Sequence, residues 1–314
     1  MTLLLQYTLI FASVLMLVAL GGCFAERSGV INIGLEGIMV IGALGGALVL
    51  KFLPATVSPL VMVLATVIAS GLFGLLFSLL LAVAAINFKA DQTITGTAMN
   101  MLATAGATVA VKAMNTAMSG GNDVSSDIAY THTKDLLLVR IGNFEFNWFM
   151  LVAVFCLVAS FVALYKTKFG LRLRACGEHP QAADSVGISV TKMRYAGVLL
   201  SGLLGGLGGI VYITAGVSVW KFENGVAGFG FLAMAVMIFG GWHPLKIALA
   251  SLLFGFCRAL GNVYSGFDFL AALNVPSVVY NMLPYIISLV VLAFTSKKSM
   301  GPKAAGIPYD KGTR

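Results

Sequence analysis

The sequence predicts an all-α, polytopic helical membrane protein with about nine transmembrane helices, some of them short or broken. Three observations carry that expectation. The 314 residues are 59% hydrophobic and only 10% charged, with a mean hydropathy of +0.96. A soluble domain of this length needs a charged surface that these few ionic groups cannot cover, whereas lipid solvates an apolar exterior. The apolar residues gather into stretches near bilayer length, and the basic residues gather beside them.

The stretches run over about 3–25, 30–50, 57–86, 92–113, 147–165, 194–219, 226–241, 245–262 and 276–296. The first has no Lys or Arg before Arg27, unlike the basic start of a leader, and reads as a retained span. The third is long enough to tilt or to project beyond the bilayer. The seventh and eighth are short and broken at Gly240-Gly241-Trp242-His243-Pro244, as suits a transporter interior. Residues 1–296 therefore form one transmembrane domain with a basic loop at about 166–194, and 297–314 form a basic tail whose Gly and Pro predict looseness.

Lys166, Lys168, Arg172, Arg174, Lys192 and Arg194 in the loop, and Lys297, Lys298, Lys303, Lys311 and Arg314 in the tail, place both on the cytoplasmic side of the membrane. An odd span count then leaves the N-terminus outside. The segment from about Asn115 to Asn147 becomes the longest external loop, with turn-forming Gly120-Gly121-Asn122-Asp123 and room for a short helix or hairpin. The net charge of +8 belongs to this orientation pattern, not to a nucleic-acid partner.

Among 36 glycines, Gly202, Gly205, Gly206 and Gly209, and likewise Gly42 and Gly46, are spaced for close helix packing, with a sliding surface as the functional alternative. Between the first two stretches, Glu26 and Arg27 sit at the interface, and Asn32 and Glu36 lie four apart on one face if the segment is helical. A polar clasp between helices is the simpler reading of that pair, and a cavity-lining or gating role the alternative. In the basic loop, Pro180 suits a first helical position, Gln181–Val186 a short helix and Gly187 its stop. Such a helix is either an ordinary loop element or one that docks on a soluble partner.

The runs Gly29-Val30-Ile31-Asn32-Ile33-Gly34-Leu35-Glu36-Gly37, Gly177-Glu178-His179-Pro180-Gln181-Ala182-Ala183-Asp184-Ser185-Val186-Gly187-Ile188 and Gly240-Gly241-Trp242-His243-Pro244-Leu245 occur in this order and spacing. Together they resemble the permease subunits of bacterial ABC importers for sugars, branched-chain amino acids and nucleosides, closest to the guanosine-type nucleoside permeases. The resemblance covers about residues 3–296. It implies a coupling helix at which Glu178, Pro180, Ala182, Ala183, Asp184 and Gly187 meet a cytoplasmic ATP-binding subunit. It also implies a second permease, often a different one, and an extracellular substrate-binding lipoprotein. Gln181 stands where the wider motif opens with Glu.

The chain holds no Gly-Lys dipeptide and so no phosphate-cradling loop, which leaves another polypeptide or an ion gradient as its energy source. The resemblance implies that this chain has no cofactor and that ATP and Mg are bound by the partner ATPase subunit. His132, His179 and His243 are scattered, and Cys23, Cys156, Cys176 and Cys257 lack metal spacing, so neither a metal site nor a catalytic set is expected. For a neutral nucleoside, the candidate contacts are Asn100 in the fourth span, Trp220 and Phe222 at the outer end of the sixth, and Asn281 in the ninth. An interfacial belt explains Trp220 equally, and interhelical hydrogen bonding the two asparagines. An ion-coupled secondary transporter, with buried Glu36 as its proton or sodium site, is the competing function.

Overall fold

A computed structural model describes residues 2–142, 144–215, 217–267, 276–295 and 301–311. Every predicted stretch is a helix: α1 Thr2–Arg27, α2 Leu35–Phe52, α3 Pro59–Ala82 with a π-helical turn to Asn87, α4 Gln92–Met118 and α5 Trp148–Tyr165. The basic loop carries α6 Lys168–Glu178 and α7 Pro180–Ser185, followed by α8 Val190–Ile213, α9 Phe229–Phe239, α10 Pro244–Val263 and α11 Ser277–Thr295. Among the described residues, seven helices are long and apolar enough to cross a bilayer; α9 is an 11-residue half-length piece.

α1 and α8 form the centre. From Val14 to Ala25 every side chain of α1 is buried, which is why its sequence has no polar face. The glycines of α8 bring α2 and α3 against it: a Cβ on Gly42 would collide with the Gly206 backbone, and one on Gly46 would lie 2.6 Å from Ile210. These glycines serve tight packing within one subunit. By contrast, α3 and α5 turn Leu64, Ile68, Leu72 and Leu76, and Leu151, Val154, Phe155 and Val158, outward as a lipid-facing surface.

The connections fall on two faces. On one, β1 Asp127–Ala129 pairs antiparallel with β4 Val219–Lys221, and β2 Leu138–Ile141 with β3 Phe144–Asn147. The Tyr130 hydroxyl donates to Ile213 O at 2.7 Å, and Thr133 Oγ1 to Leu50 O at 2.8 Å, fastening this hairpin face to the ends of α8 and α2. The opposite, basic face gathers the α1–α2 junction, Lys89, α6, α7, Trp242 and the C-terminal segment.

Three expectations are corrected. The sixth span ends at Ile213, so Trp220 lies in β4 and Phe222 in a 3₁₀ turn, beyond the helix and not at its outer end. Residues 28–34 are not helical, with Gly29 at φ +98°, so Asn32 and Glu36 do not share a helix face. The tail is not loose over 301–311. Ala304 N donates to Gly177 O at 2.8 Å and Gly306 N to Gly29 O at 3.3 Å, while Ala305 and Ile307 close turns on Pro302 and Ala304. Its Gly and Pro residues make turns that find carbonyl partners. Lys297, Lys298 and Arg314 lie outside the described residues.

Candidate functional site

Two constructions concentrate the polar chemistry. The first lies mid-membrane. α9 is about 16 Å long, half of a bilayer core of about 30 Å, and ends at the turn beside Arg27 on the basic face. Its start is therefore near the midplane. There the chain from Gly225 to Gly228 is irregular, with Gly225, Ala227 and Gly228 all at positive φ. Freed backbone N–H groups at that depth need partners. Glu36, in the first turn of α2, supplies them: its Oε1 accepts from Gly228 N and its Oε2 from Gly230 N, both at 2.7 Å. Gly230 permits the approach, since a Cβ there would lie 2.5 Å from Glu36 N.

Asn100 on α4 completes this joint, its Oδ1 accepting from Gly37 N at 2.8 Å and its Nδ2 donating to Ile33 O at 3.0 Å. Asn32 points the other way, donating to Ser201 Oγ on α8 at 2.9 Å and leaving its buried Oδ1 without a protein partner. The polar motif thus clasps α2 to α4, α8 and α9. Asn281 on α11 accepts from Arg258 of α10, whose guanidinium lies 5.6 Å from the Phe229 ring centroid. Phe222 is buried, and Trp220 meets Tyr212 edge-on with ring centroids 5.5 Å apart. Of the candidate contacts, Asn100 alone joins the midplane break. Arg258, the one charged side chain within α10 beyond its first turn, and Ser201 had no assigned part in the sequence reading.

The second construction is the basic-face loop. Thr167 caps α6, accepting from Gly170 N at 3.2 Å, and α7 starts at Pro180 as expected. Gly187, at φ +81°, stops it by donating to Asp184 O at 2.9 Å. Pro180 and Ala183 face inward and build the turn; Ala182 and Gly187 are exposed, and Asp184 lies 3.9 Å from Lys311 Nζ. Glu178 pairs loosely with Arg27 at 3.8 Å, and Arg27 also donates to Trp242 O at 3.2 Å. Trp242 Nε1 donates to Glu26 Oε2 at 2.6 Å. Beside α7 is a groove of about 290 Å³ between Glu178, His179, Ala182 and Val186. Val186 is 73% exposed and Leu171 63%, two apolar knobs on a polar face that sequence periodicity did not single out. His243 sits nearby, its ring 4.8 Å from that of Tyr165. Partial burial, then the charges of Lys246 and Arg27, hold its pKa below the ordinary imidazole value.

The tail braces this loop. Arg194 is 1% exposed, donates Nη1 to Ile307 O at 3.0 Å and lies 6.0 Å from the Tyr309 ring centroid. Lys89 pairs with Asp310 at 2.7 Å. Deleting residues 301–314 is expected to uncover Arg194 and to lower the melting temperature of the detergent-purified protein by about 5 °C. A thermal-shift assay against the full chain checks this, and an unchanged midpoint contradicts it.

Among the described residues no group of His, Cys, Asp or Glu is arranged to hold a metal, and the four cysteines are free and buried. On the hairpin face a polar cavity of about 610 Å³ opens between Gln6, Tyr7, Thr131, Glu145, Asn147 and Ser218.

Comparison with known proteins shows what this architecture belongs to. The chain is 40% identical to a guanosine ABC transporter permease of Bacillus subtilis, covering 98% of this chain and 96% of that one. It is 38% identical to a nucleoside ABC transporter permease of Lactococcus lactis (96% and 95% covered) and 30% identical to a putative glucose ABC transporter permease of Haloferax volcanii (82% and 76%). No solved structure matches the chain. Residues 4–294 match the family described as the branched-chain amino acid transport system / permease component, and the chain belongs to that family: it is a multi-pass membrane permease that transports rather than catalyses.

Proposed function

We propose that this permease is the translocation subunit of an ATP-driven nucleoside importer, with guanosine-like solutes as its substrates. The observation that carries the reading is full-length similarity to guanosine and nucleoside permeases, at 40% and 38% identity. The basic face is cytoplasmic by the distribution of Lys and Arg, which leaves the N-terminus outside. Residues 1–296 make the membrane domain and 166–194 its coupling loop; 297–314 form a cytoplasmic tail. A separate ATPase subunit, binding ATP and Mg, seats around α7 on Glu178, Ala182, Asp184 and Gly187, with Val186 as the apolar contact; Pro180 and Ala183 keep the helix in place. A second permease closes the pathway, and an external substrate-binding lipoprotein delivers solute. ATP-driven closure of the ATPases pushes α7, and the packed helices follow as a rigid body.

A strain lacking its own nucleoside uptake, given this permease with its neighbouring transporter genes, is expected to accumulate labelled guanosine. Excess unlabelled adenosine or guanosine suppresses that accumulation and glucose does not. Suppression by glucose alone, or no uptake above the empty strain, contradicts the reading.

A further inference from the structure

The inference begins with a mismatch between composition and exposure. α4 has a mean hydropathy of only 1.2, the lowest of the seven long helices, yet only 28% of its most apolar window is buried. α5 is buried to the same extent with a value of 2.4, and α3 is 33% buried at 2.5. Those two carry few polar side chains outside their buried seams; α4 exposes an apolar flank with Ile94, Met101, Leu102 and Val109 and keeps a separate polar one. Its polar residues are also ordered. The buried seam of α4 runs through Gln92, Gly96, Met99, Ala103, Ala107 and Val111. One position on, along a single flank, come Thr93, Thr97, Asn100, Thr104, Thr108 and Lys112, a polar stripe down the length of the helix. The far flank presents Leu102 and Val109, 56% and 66% exposed.

The stripe meets the broken backbone. Asn100 bonds to Gly37 and Ile33 at the midplane joint. A Cβ on Gly225 would lie 3.8 Å from Thr104 Oγ1, and Lys112 Nζ pairs with Glu223 at 2.6 Å. The irregular segment 223–228 therefore runs beside the outer half of the stripe. Non-helical backbone at membrane depth is tolerated where it is buried in protein or lines water, and half-helices meeting at the midplane are where transporters hold solute.

We propose that the flank Thr97, Asn100, Thr104, Thr108 of α4, with the segment Gly225–Gly228, is the wall of the water-filled solute path, and that it takes a neutral, polyhydroxylated solute. Thr97 and Thr104 donate back to their own helix, at 2.9 and 3.3 Å, which leaves hydroxyl lone pairs outward as acceptors for ribose O–H or base N–H groups. The charges nearby are committed: Glu36 to Gly228 and Gly230, Lys112 to Glu223, Arg258 to Asn281. Arg258 keeps its buried Nε without a hydrogen-bond partner, so the neutrality of the solute follows from the import reading and not from an absence of charge. The proposal rests on the import reading for its solute and on α4 with the segment Gly225–Gly228 for its location.

The test uses single cysteines in the complete transporter in sealed vesicles, where the four native cysteines are buried. T104C and T108C lie on the stripe, and L102C and V109C on the far flank. Each is exposed to a charged, membrane-impermeant methanethiosulfonate, whose S–S bond the thiolate attacks with release of methanesulfinate. Labelling of T104C and T108C is expected to be at least about tenfold faster than of L102C and V109C, although the far flank is the more exposed in the isolated subunit. Saturating guanosine slows labelling of T104C. Equal rates on both flanks, or a silent stripe, overturn the proposal, as does labelling unslowed by guanosine in a transporter whose wild type imports it. Selective stripe labelling in a protein that imports no nucleoside supports the path and instead removes the nucleoside reading.

Discussion

Replacing Glu36 with alanine is expected to abolish uptake and destabilise the membrane domain. The carboxylate satisfies the Gly228 and Gly230 N–H groups at the mouth of α9. Each buried donor left without a partner costs about 1–3 kcal/mol. Loss of both amounts to several kcal/mol, a large part of a typical folding free energy. Glu36→Gln separates packing from hydrogen bonding, because the amide keeps only one acceptor oxygen. It should fall between wild type and Glu36→Ala in thermal midpoint and in uptake. If Glu36→Ala keeps the wild-type midpoint and rate, the clasp is not what holds α9. If Glu36→Gln keeps folding but makes uptake independent of an imposed proton gradient where wild type depends on it, Glu36 is a proton carrier and the competing ion-coupled function gains.

Replacing Val186 with aspartate should disconnect transport from ATP. Val186 projects from the end of α7 at 73% exposure, on the rim of the groove beside Ala182. Burying such a side chain on a partner contributes about 1.5–3 kcal/mol, and a carboxylate there must instead be desolvated near Asp184. Uptake is expected to fall at least about tenfold with the subunit still folded, and the ATPase subunit to be lost on purification. Val186→Ile should retain both. Gly187 is the poorer probe, because at φ +81° any side chain strains the turn before a partner is reached. Wild-type uptake and co-purification with Val186→Asp would remove α7 from the docking surface.

Much of this architecture is legible from apolar runs. The stretches at 57–86, 147–165 and 245–262 differ from α3 with its π turn, α5 and α10 by a residue or two. The half-length of α9 follows from Gly228 and Gly240 on either side of it. Pro180 and Gly187 bracket α7 for the same local reasons. What periodicity leaves out is long-range. The pairing of β1 with β4 joins residues some ninety positions apart through short strands, and nothing local announces it. The tail has the composition of a linker, and only the carbonyls of Gly177 and Gly29 and the buried Arg194 show that it has a seat. Asn32 and Glu36 are four apart in sequence, yet α2 starts only at Leu35, so Asn32 stays in the non-helical lead-in and reaches α8 while Glu36, on the helix, reaches α9. The α4 stripe is written in the sequence at helical spacing, but its meaning depends on its half-buried flank lying beside the irregular segment at Gly225, which no local pattern shows.

The central claim is that motion enters this subunit through α7 from an ATP-consuming partner. Reconstituted in liposomes with the proposed ATPase, second permease and substrate-binding lipoprotein, the transporter should accumulate labelled guanosine only when ATP and Mg are supplied on the basic-face side. Ionophores that collapse proton and sodium gradients should leave the rate unchanged. Accumulation driven by either gradient with ATP absent would contradict the account.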